Sequence, residues 1–66
     1  MNFGERMRVL REDAGLTQGD VADKIGVSRP MVNRIEQGTK VPSLFVAILI
    51  ADTLNTTVDY LVKGDA

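Results

Sequence analysis

The stretch Thr17–Gly38, T-Q-G-D-V-A-D-K-I-G-V-S-R-P-M-V-N-R-I-E-Q-G, constrains this chain more than any other. It holds two short amphipathic runs separated by Gly26-Val27-Ser28. Each run opens on a hydroxyl residue, and a glycine closes each. Thr17 can cap the first run, and Asp20 three positions on completes a shortened capping box. Val21, Ala22 and Ile25 then face inward, with Leu16 packing just before the cap. Gly26 stops the helix in the left-handed region, and Val27 plugs the core. Ser28 caps the second run. Pro30 lies in its first turn, where the missing N–H costs nothing, so it fixes where that helix begins.

Two short helices with a tight glycine-containing turn between them describe a helix-turn-helix, the unit that sets its second helix in a DNA major groove. On that second helix, at about 100° per residue, Val32 and Ile35 share one face, flanked by Met31. The opposite face carries Pro30, Asn33, Arg34 and Gln37, with Arg29 at its edge. These side chains include the donors that read base edges, Arg for guanine and Asn or Gln for adenine. The same composition also describes an ordinary solvated face.

The other residues predict three more helices. Phe3, Met7, Leu10 and Ala14 recur at helical spacing, with Gly15 as the stop, and the interleaved Arg6, Arg8, Glu5, Glu12 and Asp13 read as a solvated face. Pro42-Ser43 opens a helix from Leu44 to about Leu54. Thr57 caps a last one over Val58 to Val62, followed by a Lys63–Ala66 tail. The whole, residues 1–66, makes one all-α domain, a bundle of five short helices.

At 66 residues the core is small, because a chain of this size buries only about 60% of its unfolded surface. Cysteine and histidine are both absent. That removes disulfides, thiolate metal sites and histidine-based catalysis, and it favours a dimer. The net charge of −1 argues against generic coating of nucleic acid or an anionic membrane. A locally basic face suffices for specific DNA binding. The charged start predicts no export signal, and Val41–Ala51 is far short of the roughly 20 residues that span a bilayer. The expectation is a soluble, cytoplasmic protein without cofactor or metal.

Taken together, R-M-R-V-L-R-E-D-A-G-L-T-Q (6–18), D-V-A-D-K-I-G-V-S-R (20–29), V-N-R-I-E-Q-G (32–38), V-P-S-L (41–44) and A-D-T-L-N-T-T-V-D-Y-L (51–61) resemble the lambda-repressor-like helix-turn-helix family, the Cro/C1-type or XRE-family regulators. The resemblance covers nearly the whole chain. It implies a compact five-helix bundle that binds a near-palindromic operator as a homodimer, with helix 28–37 in the major groove. Carried over by position, Gln18, beside the cap Thr17, matches a residue that contacts a backbone phosphate. Ser28, Arg29, Pro30, Asn33 and Arg34 match recognition-helix positions that face DNA. Thr39 and Lys40 match the phosphate-facing loop that follows. Arg11 and Glu36 match an ion pair between the first helix and the end of the third, a structural rather than a contacting pair.

Three features depart from the family pattern. Pro30 replaces a small polar residue and offers only apolar contact, for example to a thymine methyl. Gly19 replaces a common acidic residue near the phosphate-facing helix start. The fourth helix, L-F-V-A-I-L-I-A, is apolar where the family is polar. If Leu44, Ala47, Ile50, Ala51 and Leu54 face the core, Phe45 and Leu49 point outward with Val46 beside them. With Val58, Tyr60 and Val62 of the last helix they would form a dimer interface. The alternative is a rotation that buries Phe45. The leading expectation is therefore a sequence-specific transcriptional regulator of double-stranded DNA. The alternative is an antitoxin or protein-interaction module whose fourth helix binds another protein. An enzyme is excluded by the missing His and Cys, the absence of a phosphate cradle or clustered carboxylates, and the small volume expected for any pocket.

Overall fold

A side-chain cap starts each helix of this protein. In the computed structural model, which describes residues 1–64, the elements are α1 (Phe3–Asp13), α2 (Gln18–Ile25), α3 (Arg29–Gln37), α4 (Leu44–Thr53) and α5 (Val58–Lys63). Thr17, Ser28, Ser43 and Thr57 each accept the backbone N–H three residues on. Asn2 does the same for α1, and the pairs Asn2–Glu5 and Thr17–Asp20 are reciprocal capping boxes. Each cap contributes about 1 kcal/mol to helices too short to persist alone. Lys63, expected in the tail, closes α5, and Gly64 caps it. Asp65 and Ala66 lie outside the described residues.

Both helices of the helix-turn-helix end on left-handed glycines, α2 at Gly26 (φ 74°) and α3 at Gly38 (φ 80°). A side chain at either position would be strained, so both helices stop where the sequence punctuates them. After Gly38, the carbonyl of Arg34 accepts from the backbone N–H of Thr39 (3.0 Å) and Lys40 (3.3 Å) and folds the next loop back onto the helix end.

One core joins all five helices. Met7, Val21, Val32, Ile35, Ile50 and Leu61 are essentially without solvent contact, and each helix supplies at least one of them. Around them pack Ala22, Ile25, Ala51 and Leu54, with Phe3, Leu10, Leu16, Val27, Met31, Val46, Leu49 and Val58 at the margin. Small Ala22 and Ala51 sit in the layer where α2 meets α3 and α4. α1 lies across α3 on one side and α5 on the other. None of the described helices is long and apolar enough to cross a membrane.

Two expectations about packing are corrected. Leu44 is 70% exposed rather than part of the core, and Leu49 turns inward against it. The exposed arc of α4 runs through Leu44, Phe45 and Ile48 to Asp52. Phe45 is 71% exposed, so α4 has not rotated to bury it. The physical reason is that α4 is apolar all round, so its pattern gave no direction. The small Ala47 and Ala51 with Ile50 and Leu54 settle which side fits the core. Arg6 is the second correction. Instead of lying on a solvated face it is 8% exposed. Its guanidinium donates to the carbonyls of Leu61 (2.9 Å), Val62 (2.6 Å) and Met1. The first two belong to the last turn of α5, where carbonyls lack helical partners and a cation is favoured by the dipole.

Candidate nucleic-acid interface

α3 is held from behind by a buried ion pair. Arg11 in α1 donates to both carboxylate oxygens of Glu36, Nε to Oε2 at 2.7 Å and Nη2 to Oε1 at 3.0 Å. Its Nη1 donates to the carbonyl of Leu16 at 2.9 Å. The side chains are 11% and 3% exposed, and no buried side-chain polar atom among the described residues lacks a partner. The bidentate fork is what makes a desolvated pair tolerable. The hydrogen bond to Glu36 raises the Arg11 pKa above the ordinary arginine value, against the opposing effect of burial. One pair thus fixes α1, the α1–α2 loop and the end of α3 together.

Beyond this brace at the end of α3, the rest of the helix presents a face to solvent. Arg29, Pro30, Arg34 and Gln37 are exposed, and Asn33 is half-buried. Ser28, Thr39 and Lys40 are exposed at its two ends. The start of α2 lies beside it: Gln18, Arg29, Pro30 and Asn33 line one shallow hollow of about 420 Å³. Gln18 bridges the two layers, because its Nε2 donates to Asn33 Oδ1 (3.1 Å) and to Glu36 Oε1 (3.1 Å). That bridge was not legible in the sequence, where Gln18 and Asn33 read as separate contacts. Thr17 serves as cap, its hydroxyl accepting from the N–H of Asp20 at 3.0 Å. The reciprocal bond from the Thr17 N–H (2.8 Å) holds the Asp20 carboxyl below the ordinary carboxylate range, with the Thr17 hydroxyl adding to it.

A second surface begins beside the end of α3, where Gly38 and Lys40 share a groove with Val41. Val41 (86% exposed), Leu44, Phe45, Ile48 and Val62 present apolar side chains to solvent. Val41, Leu44 and Val62 border a groove of about 440 Å³ that runs to the first turn of α1 at Phe3 and Gly4. The groove is larger than the sequence suggested for so short a chain. Of the expected interface, Phe45 and Val62 are exposed, Leu49 and Val58 pack on the core margin, and Tyr60 is half-buried. Among the described residues no group of three or more acidic side chains is placed to hold a metal.

The family model for helix-turn-helix proteins matches residues 7–61, from the core methionine of α1 to the core leucine of α5. The chain belongs to the lambda-repressor-like helix-turn-helix family. It is 36% identical over 64 residues to the uncharacterized HTH-type transcriptional regulator YqaE of Bacillus subtilis, covering 97% of this chain and 55% of that protein. It therefore spans about half the length of that relative. YazB of the same organism, another uncharacterized HTH-type regulator, is 36% identical over 59 residues, 89% of this chain and 86% of its own. Among solved structures, the P22 c2 repressor in complex with a synthetic operator superposes with a TM-score of 0.95 at 28% identity, over 98% of both chains. The restriction-modification controller C.AhdI from Aeromonas hydrophila gives 0.84 at 34% identity, over 89% of each. Membership places the domain in a class that works by binding rather than by catalysis.

Proposed function

We propose that this domain binds double-stranded DNA sequence-specifically as a homodimer and so regulates transcription. The observation that carries the reading is the α3 face: exposed Arg29, Arg34 and Gln37 project from a helix whose last turn is locked by the Arg11–Glu36 pair. A rigidly held row of donors is what base recognition in a major groove requires. The likeness to a repressor bound to an operator supports it. Arg29, Asn33 and Arg34 would meet base edges and Pro30 a thymine methyl. Ser28, Thr39 and Lys40 at the helix ends would meet phosphates. Beside them, the free N–H groups of α2's first turn at Gln18 and Gly19 would do the same. A DNA target would put its site of action in the cytoplasm.

The second copy would dock on the apolar face of Val41, Leu44, Phe45, Ile48 and Val62, a patch too apolar for a small solitary domain. Two α3 helices then lie about 34 Å apart, one DNA turn. The same face is what would favour the second reading, a module that binds a different protein. Sedimentation separates the two: a dimer of the pure chain that Phe45→Glu and Leu44→Glu convert to folded monomer supports the first. A monomeric wild type that co-purifies with one other small protein supports the second. For DNA binding, Arg34→Ala should lose operator affinity with its circular dichroism unchanged. Unaltered affinity in that variant would remove Arg34 from the proposed contact.

A further inference from the structure

One side chain, Gln18, connects the buried ion pair to the outward face of α3. Arg11 already donates to both oxygens of Glu36, so what Glu36 offers Gln18 is a lone pair. An acceptor there determines which end of the Gln18 amide turns inward: Nε2, 3.1 Å from Glu36 Oε1. The same Nε2 stands 3.1 Å from Asn33. Its two hydrogens therefore meet two acceptors, and the Asn33 atom facing it is the oxygen. The Nδ2 of Asn33 is left turned away from Gln18. A carboxamide has nearly the same shape at both ends, and an unrestrained one can present either a donor or an acceptor. Here a chain of three links, Arg11 to Glu36 to Gln18 to Asn33, removes that choice.

We propose that Gln18 is a positioning residue that locks Asn33 with Nδ2 toward the DNA, so that Asn33 selects guanine. This rests on the DNA-binding reading above. Guanine alone offers a donor two acceptors in the major groove, N7 and O6, whereas adenine pairs its one acceptor with an N6 donor, thymine has O4 beside its methyl group, and cytosine presents its N4 donor. Arg29, beside Asn33 in the same hollow, is also purely a donor. Gln18 then has a positioning part in place of the expected phosphate contact. With both N–H bonds engaged inward, its remaining Oε1 cannot donate to a phosphate, and α2 is left its backbone N–H groups for that contact.

Selection of bound duplexes from a random library tests this with wild type, Asn33→Asp, Gln18→Ala, Asn33→Ala and the double alanine variant. Asn33→Asp is isosteric. It keeps an oxygen toward Gln18 and replaces the outward donor by an acceptor. Wild type should prefer guanine at one position of each half-site, by about 2- to 10-fold for a contact made by one donor group. Asn33→Asp should move that preference to cytosine. Gln18→Ala should flatten it at that position alone, and the double variant should be no flatter than Asn33→Ala. Retained guanine preference in Asn33→Asp, or a uniform loss for all sequences in Gln18→Ala, overturns the proposal while leaving DNA binding intact. If wild type enriches no sequence, the DNA-binding reading itself falls. Side-chain ¹⁵N relaxation on the free protein still decides the lock in that case. The Asn33 amide should be rigid in wild type and mobile in Gln18→Ala, and equal mobility in both refutes it.

Discussion

Gly4 sits in the first turn of α1 where that turn meets the end of α3, and its missing side chain is required there. A Cβ built on it would lie 2.5 Å from the carbonyl oxygen of Glu36, 2.8 Å from that carbonyl carbon, and closer still to the oxygen of Ile35. All three are backbone atoms and cannot rotate away. Carbon and oxygen pack at about 3.3–3.6 Å, so α1 must withdraw from α3 by about 1 Å to admit a methyl group. Overpacking of this kind costs about 1–3 kcal/mol. Alanine's better helix propensity offsets about 1 kcal/mol. With backbone on both sides of the clash the upper part of that range applies, leaving Gly4→Ala about 1–2 kcal/mol less stable. For a domain this small that lowers the melting temperature by about 5–15 °C. Gly19→Ala is the internal control. Its Cβ would touch only the Thr17 hydroxyl oxygen at 3.7 Å, an ordinary contact, so the same substitution should stabilise by about 0.5 kcal/mol. Thermal and urea unfolding followed by circular dichroism measure both. A Gly4→Ala variant as stable as wild type would refute the close approach of α1 and α3. Two variants shifted in the same direction would refute the steric account of their difference.

Arg11→Ala leaves Glu36 desolvated without its cation and should cost about 3–5 kcal/mol in urea unfolding, enough to weaken operator binding through misplacement of α3. Arg6→Ala removes two donors from the α5 end and one from the Met1 carbonyl. Amide hydrogen exchange at the end of α5 should accelerate before any change in α2 or α3, and uniform acceleration would contradict a local role. Asp20 gives a pH signature. Its folded carboxyl titrates below its unfolded value, so the stability it contributes is fully present above the ordinary carboxylate range. That stability is lost as pH falls through the folded value. Asp20→Asn should remove this part of the acid dependence, and an NMR titration of Asp20 at or above the ordinary carboxylate value would contradict the capping account.

What the sequence could and could not disclose follows from the range of the interactions. The caps at Thr17, Ser28, Ser43 and Thr57 and the stops at Gly26 and Gly38 act within four residues, so residue order alone placed all five helices. The amphipathic faces of α2 and α3 gave the core and the outward donors for the same reason: their polar residues mark the solvent side. α4 has no such mark in its first two turns. Its orientation depends on which side is narrow enough to meet α2, a property of Ala47 and Ala51 against a neighbour, and so Leu44 and Leu49 exchanged their expected places. Gly4 and Arg6 were hidden in another way. Each matters only because α1 crosses the C-terminal ends of two other helices, α3 at Gly4 and α5 at Arg6. A helix end exposes carbonyls, and a crossing helix must either come close without a side chain or bring a cation. α1 does the first at Gly4 and the second at Arg6, two residues apart. With the Arg11–Glu36 pair, these contacts show α1 holding the bundle at the ends of the helices it crosses. Perturbing α1 should disturb the α3 surface more than equally destabilising changes in α4.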